Sequence, residues 1–549
     1  APASVAAATE SASPGLVTAA DPRAAEAGAA MLRQGGSATD AAIATMLALS
    51  VVEPQSSGIG GGGFYVRAAP DGTVETVDGR ETAPAGADPA WFLGPDGAPL
   101  GFEQVVTTGL SAGVPGNIAL AALVHQRHGR LPWAALFAPA IALARDGWAL
   151  TPRFVGALDR SRTSAAHDPA ALALFYDAEG APLPVGTVVR NPELAATLEA
   201  IAAGGPAAFY RGPLASQIAA EVAAETPRPG AMTAADVTGY QAIARDPVCG
   251  LYRLYRICGM GPPSSGATTV YAILKQLEAT DLAALGPQSP TFWHLFAESQ
   301  RLAYADRERY LADPAFVAVP VAGLTDPAYL ARRGALISVA ATMAEVRAGE
   351  VAGAARLADG DEPEEGGTSH FVARDRSGAV VSYTSTIESA FGSGIMVGGF
   401  YLNNELTDFS FVPTADGRPV ANRVEGGKRP RSSMAPTVVY APDGRLVLAA
   451  GAAGGATIPV QVARILIGVI DFGLPVDQAL ALPVLYSPAE TLVVEQGTAL
   501  EAMIPALQAL GHQQVIAREL PLKANAALLG ADGWSGAADP RSEGVSLSE

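Results

Sequence analysis

The sequence predicts a mixed fold of the α/β (α+β) class, mainly helical at first and rich in strands after residue 368. The helical prediction rests on segments in which apolar residues recur at intervals of three and four positions. The strand prediction rests on segments in which apolar and polar residues alternate on either side of turn signals. Because 49% of the 549 residues are hydrophobic and only 16% are charged, the chain has enough apolar side chains for several cores.

Two helices are predicted between residues 21 and 53. Gly35 and Gly36 end the first helix, and Ser37 or Thr39 begins the second, because short polar side chains favour helix N-caps. Apolar periodicity predicts further helices in the larger first part of the chain, at 116–128, 133–146, 193–203, 212–225 and 290–311.

The glycine-rich run GIGGGGFYV occupies residues 58–66. It lacks the lysine of a GxxxxGK[ST] phosphate loop and the strand-to-helix context of a GxGxxG dinucleotide motif. We therefore interpret the run as backbone that packs closely beside a site, a place where only glycine fits.

An abrupt change of composition occurs near the middle of the chain. Residues 349–367, GEVAGAARLADGDEPEEGG, are acidic and poor in large apolar residues, which predicts a flexible linker. The linker runs into two alternating segments around the turn 375–378, a hairpin whose first strand is predicted to begin at Thr368. Further strands are predicted at 395–402, 435–441 and 445–451, followed by a helix at 457–472.

Charge and composition exclude several classes of function. The net charge of −18 repels phosphate backbones, so no nucleic-acid partner is expected. The sequence has no apolar stretch long enough to span a membrane. The six histidines lack a zinc-type pattern and the two cysteines do not supply one, so neither a metal nor a cofactor is expected.

The cysteines and the start of the chain each leave alternatives open. Cys249 and Cys258 are compatible with two buried thiols or with a cross-strand disulfide, which requires facing Cβ atoms. The chain begins APASVAAATE and shows no signal peptide, as expected for a periplasmic or secreted protein whose signal peptide has been removed. A recombinant chain trimmed for expression would begin in the same way.

The junction Gly366-Gly367-Thr368-Ser369 offers a nucleophile where no GxSxG or Cys–His pattern does. Glycine gives a permissive backbone, and the hydroxyl that follows is placed to attack the preceding carbonyl. Taken by itself, such a sequence at the start of a strand is more often an ordinary turn.

Many motifs beyond this junction resemble the γ-glutamyltransferase family of N-terminal-nucleophile hydrolases, whose precursors cleave themselves before a threonine in a G-T-[ST]-H context. Their number and order make an accidental similarity improbable. They are GIGGGGFY at 58–65, GRETAP at 79–84, AGVPGN at 112–117, GPPSSG at 261–266, YADRERYLADP at 304–314, FGSG at 391–394, LNNELTDFSF at 402–411, KRPRSSMAPT at 428–437, GAAGG at 451–455 and GAADPRS at 536–542.

The resemblance implies a four-layer αββα sandwich of the N-terminal-nucleophile hydrolase type. It also implies two subunits, 1–367 and 368–549, that are cut from one chain and remain together as a heterodimer in a single αββα unit. The new α-amino group of Thr368 would act as the base for its own hydroxyl, since an N-terminal amine has a pKa of about 7.7–8.0.

Matching positions supply the remaining catalytic groups by resemblance. Thr386 would orient the hydroxyl of Thr368, although an ordinary strand threonine has the same spacing. The backbone N–H groups of Gly454 and Gly455 would form the oxyanion hole, although GAAGGAT also suits a turn before a helix.

The same comparison of motifs implies a binding site for a γ-glutamyl donor. Arg80, with Ser432 and Ser433, would bind the α-carboxylate, since a guanidinium pairs with carboxylate through a fork of hydrogen bonds. Glu405 and Asp408 would bind the α-ammonium. Glu388 stands where the family typically has asparagine, which places a third carboxyl near that ammonium.

Three functions follow from these expectations. The first is a γ-glutamyltransferase or glutathione hydrolase, which passes a γ-glutamyl group from a small-molecule donor to water or an amine through a γ-glutamyl-threonyl ester. The second is a glutaryl or cephalosporin-type acylase with the same fold and nucleophile, for which Glu388 is the main argument. The third is a catalytically silent binding protein that stays uncleaved.

Overall fold

A computed structural model of the chain describes residues 14–360 and 367–549. The core of the predicted acidic linker, residues 361–366, therefore lies outside the described ranges. The part of the linker at 349–360 forms neither a helix nor a regular strand. Among the described residues, no helix is both long enough and apolar enough to cross a membrane.

The helices begin where capping residues predict. Ser37 accepts a hydrogen bond from the backbone of Asp40 and completes a capping box at the start of the second helix. The helices of the described ranges, α1 to α20 in chain order, are Pro22–Arg33, Ala38–Val52, Phe102–Val105, Asn117–His128, Trp133–Asp146, Pro152–Arg160, Arg162–Ala165, Pro169–Phe175, Pro192–Gly204, Pro206–Tyr210, Pro213–Ala224, Ala234–Gly239, Gly266–Leu277, Leu282–Leu285, Pro290–Tyr310, Val321–Leu324, Pro327–Gly334, Ile458–Ile470, Val476–Ala481 and Ala499–Ala509.

Strands are spread over both parts of the chain. In chain order, β1 to β22 of the described ranges are Leu16–Ala19, Gly62–Ala68, Val74–Gly79, Trp148–Ala149, Val188–Val189, Ile243–Arg245, Val248–Tyr252, Tyr255–Gly259, Ser369–Arg374, Val380–Thr386, Met396–Val397, Phe400–Tyr401, Thr414–Ala415, Arg418–Pro419, Thr437–Tyr440, Leu446–Ala453, Leu485–Tyr486, Thr491–Glu495, Gln514–Arg518, Lys523–Gly530, Gly533–Ala538 and Val545–Ser548.

Two large sheets form the middle of the molecule. The first has the strand order β22-β1-β9-β10-β2-β3-β6, and the second has the order β21-β20-β16-β15-β8-β7. The sheets face each other, because β9 and β10 of the first contact β16 and β20 of the second. Helices α1 and α2 cover the outer face of the first sheet, while α13 and α18 cover the second. The predicted four-layer αββα architecture is thereby confirmed.

Both sheets combine strands from either side of residue 367. In the first sheet, β9 and β10 pair with each other, and their outer edges pair with β1 and β2 from the earlier part of the chain. In the second sheet, β15 pairs with β8. The two segments expected as subunits therefore build one hydrogen-bonded unit.

The glycine run packs as tightly as predicted. A Cβ atom on Gly61 would lie 1.9 Å from the carbonyl oxygen of Thr386, and one on Gly60 would lie 2.1 Å from that of Tyr401. No side chain fits at either place, so Gly61 brings the backbone directly against the end of β10 and Gly60 brings it against the end of β12.

The structure corrects one local prediction, the strand at 395–402, and decides between the two alternatives for the cysteines. The single strand predicted at 395–402 is two short strands, β11 and β12, because Gly398 and Gly399 adopt positive φ angles of 54° and 81° and turn the chain between them. Cys249 and Cys258 lie opposite each other on β7 and β8 and form the cross-strand disulfide.

Candidate active site

Thr368 and Thr386 meet at the end of the first sheet. Ser369 pairs with Ser385 across β9 and β10, so the residues just beyond this pair are brought side by side. The hydroxyl of Thr368 donates a hydrogen bond of 3.1 Å to the hydroxyl of Thr386, and both side chains are buried. The structure thus brings together the predicted nucleophile and the residue predicted to orient it.

The backbone around Thr368 is strained. Strand β9 begins at Ser369, one residue later than predicted, and Thr368 itself has a φ of 128°. A β-branched residue rarely adopts such a conformation, which typically costs on the order of 1–3 kcal/mol. Glu388, which follows the end of β10, also has a positive φ, of 74°. Two unfavourable conformations therefore lie on either side of the hydroxyl pair.

The strained turn at Glu388 holds the hydroxyl of Thr386. The backbone N–H of Glu388 donates to Thr386 Oγ1 over 2.8 Å. Thr386 thus accepts from both Glu388 and Thr368, which fixes the direction in which the Thr368 hydroxyl points.

A buried ion pair supports the residue that follows Thr368. Lys523 Nζ donates to Glu53 Oε2 over 2.8 Å and to Ser369 Oγ over 3.2 Å, and Ser369 Oγ donates to Glu53 Oε2 over 2.7 Å. Burial acts to raise the pKa of Glu53, but the charges of Lys523 and Arg153 and the hydrogen bonds from Lys523 and Ser369 together outweigh it, so the pKa lies below its ordinary value. Glu53 is therefore an ionised anchor for the start of β9.

The predicted oxyanion glycines lie on the second sheet. Gly454 follows the end of β16 with a φ of 122°, and Gly455, with a φ of 56°, opens a short 3₁₀ turn that runs to Thr457. The N–H groups at the start of such a turn have no partner within it, which leaves them available to a ligand. Both φ angles favour glycine.

Contacts between the sheets place these glycines at the same end of the sandwich as Thr368. Ser382, which pairs with Val372 on β9, donates to the carbonyl oxygen of Ala450 on β16 over 3.2 Å. Nearer to Thr368 on β9, the His370 ring lies against Gly451. A Cβ on Gly451 would be 2.4 Å from this ring. The start of β9 and the end of β16 therefore run towards the same edge.

Arg80 lies at the centre of a buried cluster of carboxyl groups. Its guanidinium forms ion pairs with Glu405 and Asp408, and it also donates to the carbonyl oxygens of Pro430 over 3.1 Å and Arg431 over 2.7 Å. The structure therefore brings together the residues expected to bind a carboxylate and an ammonium. The guanidinium is thus already paired with two of the acids expected to bind the ammonium.

The acids near Arg80 outnumber its single charge. Burial, and then repulsion from Asp408, raises the pKa of Glu388 to about 8. Burial also raises the pKa of Glu81 to about 7 and that of Glu405 well above its ordinary value. Near pH 7 the cluster therefore retains protons, and a protonated carboxyl such as that of Glu388 resembles an amide in hydrogen bonding.

Asn404 connects the turn beside Thr368 to the Arg80 cluster. Its side-chain N–H donates to Glu388 Oε2, while its oxygen accepts from the backbone N–H of Ser389 over 2.9 Å. Because Asn404 directly precedes Glu405, the turn beside Thr368 and the ion pairs of Arg80 belong to one network.

Ser432 and Ser433 lie at the edge of this cluster. Arg80 donates to the carbonyl of Arg431, the residue before Ser432. Ser432 Oγ accepts from the backbone of Met434 over 3.2 Å, and Ser433 Oγ accepts from Arg307 Nη2 over 2.7 Å. Ser432 thus lies near Arg80, while the Ser433 hydroxyl is engaged by a second arginine.

Four residues of this site did not follow from the sequence: Glu81, Glu53, Lys523 and Asn404. A lysine within the apolar strand β20 and an acid next to Arg80 were visible signals, but their partners are distant in sequence. Among residues 14–360 and 367–549, no group of three His, Cys, Asp or Glu side chains is placed to hold a metal ion.

Comparisons with known proteins give matches over most of the chain. A family model described as gamma-glutamyltranspeptidase matches residues 24–548. The chain is 36% identical to a glutathione hydrolase proenzyme of Escherichia coli (strain K12), covering 96% of this chain and 90% of that protein. It is 35% identical to an acylase ACY 1 proenzyme of Pseudomonas sp. (strain V22), covering 97% and 93%.

A solved structure agrees over the full length. The crystal structure of a cephalosporin acylase from Bacillus halodurans superimposes with a TM-score of 0.83 at 26% identity and covers 100% of this chain and 98% of that one. The likeness thus extends to both sides of Thr368.

Proposed function

The chain belongs to the γ-glutamyltranspeptidase family, and from this premise we propose that it is a γ-glutamyltransferase and glutathione hydrolase that cleaves itself before Thr368. The observation that carries the proposal is the buried hydrogen bond of 3.1 Å from the Thr368 hydroxyl to Thr386, in strained backbone directly after Gly367.

Self-cleavage needs only groups that the chain supplies, together with water. The Thr368 oxygen attacks the carbonyl carbon of Gly367, the C–N bond breaks, and the hydroxyl proton passes to the departing nitrogen. The resulting ester is hydrolysed by water to give the Gly367 carboxylate and a free threonine amine. Relief of the positive φ at Thr368 favours this step, since the backbone is no longer held across the bond.

The mature nucleophile then acts on amides. The α-amine of Thr368 takes the hydroxyl proton, the oxygen attacks the γ-carbonyl of the donor, and the amine half leaves with that proton. The N–H groups of Gly454 and Gly455 stabilise the oxyanion, a type of interaction whose loss typically costs about 2.7–4 kcal/mol. Water or a second amine then attacks the γ-glutamyl ester and releases Thr368.

The ion pairs of Arg80 give a physical reason for a zwitterionic donor. An α-carboxylate can take the place of an acid on the guanidinium, while the α-ammonium lies against the displaced Glu405 and Asp408. Every charge then keeps a partner of opposite sign. Ser432 would hydrogen-bond the same carboxylate, with Ser433 available if it exchanges Arg307 for the ligand.

We also propose the two-subunit form and an exported location. Residues 1–367 and 368–549 would remain a heterodimer, because their strands share both sheets. The disulfide between Cys249 and Cys258 favours an oxidising compartment, periplasmic or extracellular.

The second candidate is a glutaryl or cephalosporin-type acylase. It is favoured by Glu388 beside the proposed ammonium site and by the likeness to proteins named as acylases. A protonated Glu388 weakens this argument, because a neutral carboxyl can replace the family's asparagine.

Steady-state hydrolysis of γ-glutamyl 4-nitroanilide and glutaryl 4-nitroanilide separates these functions. We expect the wild-type protein to prefer the γ-glutamyl compound, since it alone carries an ammonium. Thr368→Ala should lower kcat by at least ~10³-fold because it removes the nucleophile, whereas Thr368→Ser should retain part of the activity. Equal turnover by Thr368→Ala would refute the mechanism, and faster turnover of the glutaryl compound would favour the acylase.

A further inference from the structure

Helix α15 carries a motif that contributes none of the proposed catalytic groups. The motif YADRERYLADP at 304–314 begins in the second half of this helix. Its Tyr304 and Arg307 are buried, with 2% and 1% of their surface exposed. Because residues three positions apart are neighbours on a helix surface, these two side chains lie on one face of α15.

The Tyr304 side chain reaches the proposed oxyanion turn, residues 454–457. Its hydroxyl donates a hydrogen bond to the carbonyl oxygen of Ala456, the residue directly after Gly455. Within its own segment the turn is held by Thr457 Oγ1, which donates to the carbonyl oxygen of Gly454 over 2.7 Å. Tyr304 adds a contact from another element and so ties the oxyanion turn to α15.

Arg307 connects the same face of α15 to the serines proposed to bind the donor carboxylate. Its Nη2 donates to Ser433 Oγ over 2.7 Å, and its Nε donates to Ser265 Oγ over 2.9 Å. Ser265 Oγ donates in turn to the carbonyl oxygen of Ser432 over 2.8 Å. The Arg307 guanidinium also lies over the Tyr304 ring, 5.6 Å from its centroid, in a cation–π contact. One helix face therefore contacts both halves of the proposed site.

The contact with Ala456 bears on the direction of the oxyanion N–H groups. Glycine adopts many backbone conformations, so Gly454 and Gly455 do not by themselves fix where their N–H groups point. Peptide groups are planar, and fixing the carbonyl of Ala456 limits the rotations open to the groups before it. An oxyanion donor must lie about 2.7–3.1 Å from the developing charge, a range that a small rotation of the peptide group exceeds.

We propose that Tyr304 is a positioning residue for the oxyanion site. Its hydroxyl holds the oxyanion turn so that the N–H groups of Gly454 and Gly455 point at the carbonyl under attack, and Arg307 holds the Tyr304 ring in place. Tyr304 acts through the turn and not by contact with the substrate. The inference rests on the proposed function, in which these two glycines stabilise the oxyanion.

Tyr304→Phe removes the hydroxyl and keeps the ring. For γ-glutamyl 4-nitroanilide we expect kcat per cut chain to fall about tenfold and KM to stay within twofold of the wild-type value, because the oxyanion forms only in the transition state. Formation and hydrolysis of the ester both pass through an oxyanion, so kcat falls whichever step is slower. Glutaryl 4-nitroanilide should show the same fold-change, since its oxyanion forms at the same place.

Tyr310→Phe is the matched control. Tyr310 lies six residues further along α15, about 9 Å at ~1.5 Å per residue, and is also buried. Its hydroxyl donates to a backbone carbonyl too, that of Gly349, over 2.7 Å. The two variants should lose similar thermal stability, since each leaves one buried carbonyl without its donor, but Tyr310→Phe should keep the wild-type kcat.

Several results would overturn the role of Tyr304. They are a wild-type kcat for a folded Tyr304→Phe protein, an equal fall of kcat in Tyr310→Phe, a rise of KM in place of the fall of kcat, and a folded Tyr304→Phe protein that stays uncut. If the wild-type protein hydrolyses only the glutaryl compound, the γ-glutamyl function fails, while the comparison of Tyr304→Phe with Tyr310→Phe is still made on that compound. If it hydrolyses neither, both proposals fail.

Discussion

At the scale of single residues, the site depends on the direction of a few hydrogen bonds. Thr368 donates to Thr386, which accepts a second hydrogen bond from the backbone of Glu388. Before cleavage the Thr368 nitrogen is an amide and cannot act as a base. In the proposed mechanism, the Thr368 hydroxyl is therefore positioned in the uncut chain and gains its general base from the cut itself.

The buried carboxyl groups near Arg80 outnumber its single positive charge. Glu81, Glu405 and Asp408 face one guanidinium, Glu388 adds a further buried carboxyl that interacts with Asp408, and an unpaired buried carboxylate is costly. The raised pKa values show how the protein avoids this cost, because protons remain on part of the cluster near neutral pH.

Glu388→Gln tests this protonation through stability. Burial and Asp408 raise the pKa of Glu388 from 4.5 to about 8, so between these values the folded state holds a proton that the unfolded chain has lost. Folding stability then falls as pH rises, by about 1.4 kcal/mol per pH unit for one proton. We expect the melting temperature of the wild-type protein to fall relative to Glu388→Gln between pH 5 and pH 8.

Calorimetric scans of both proteins across this range supply the measurement. Glu345→Gln, at an exposed position, is the control and should follow the wild-type curve. Parallel curves for wild type and Glu388→Gln would show that Glu388 is ionised throughout and that its proposed likeness to asparagine is wrong.

At the scale of elements, local sequence patterns predicted the helix bounds but did not predict contacts between distant residues. Helix α5 has the predicted bounds, and α4, α9, α11, α15 and α18 lie within two residues of theirs, because amphipathic periodicity and capping are local. The two-strand split at Gly398 was missed because the run 395–402, IMVGGFYL, is apolar throughout like one buried strand, although the Gly398-Gly399 pair inside it is a turn signal. The ion pair of Glu53 with Lys523 joins positions 470 residues apart, a relation that no local pattern records.

For the candidate site too, the sequence predicted individual residues but not the contacts between them. Thr368 was visible as a hydroxyl after two glycines, and the family motifs supplied Arg80, Glu405 and Asp408. Their mutual ion pairs could not be predicted, since they arise from the meeting of the β3 end with the loop after β12.

Gly367→Ala tests the close contact between Gly367, at the end of the linker, and the turn after β10. A Cβ on Gly367 would lie 2.0 Å from the carbonyl oxygen of Glu388, so the scissile bond must shift relative to Thr386. A misplacement of about 1 Å can cost ~10²-fold in rate, and we expect self-cleavage to slow by at least tenfold. The uncut fraction is followed on denaturing gels after synthesis begins.

Gly239→Ala provides the matched control, because a Cβ there meets nothing within 4 Å. It should be cut at the wild-type rate. A folded Gly367→Ala protein, verified by its melting transition, that is cut as fast as wild type would rule out the close contact at this bond.

At the scale of the whole molecule, the proposed cleavage would divide the chain without dividing the fold. The first sheet draws β1, β2, β3 and β6 from before residue 367 and β9, β10 and β22 from after it. The second sheet is mixed in the same way, with β7 and β8 beside β15. One cut at the edge of the sandwich would therefore free the amine of Thr368 while the packed layers hold both segments together.

The central claim is that Thr368 becomes an N-terminus. Intact-mass analysis of the purified protein after denaturation, with N-terminal sequencing, measures this directly. The account predicts two chains that together account for the 55.7 kDa of the precursor plus one water, the second beginning Thr368-Ser369-His370, and one uncut chain for Thr368→Ala. An active protein that remains a single chain, or a second chain that begins at another residue, would contradict it.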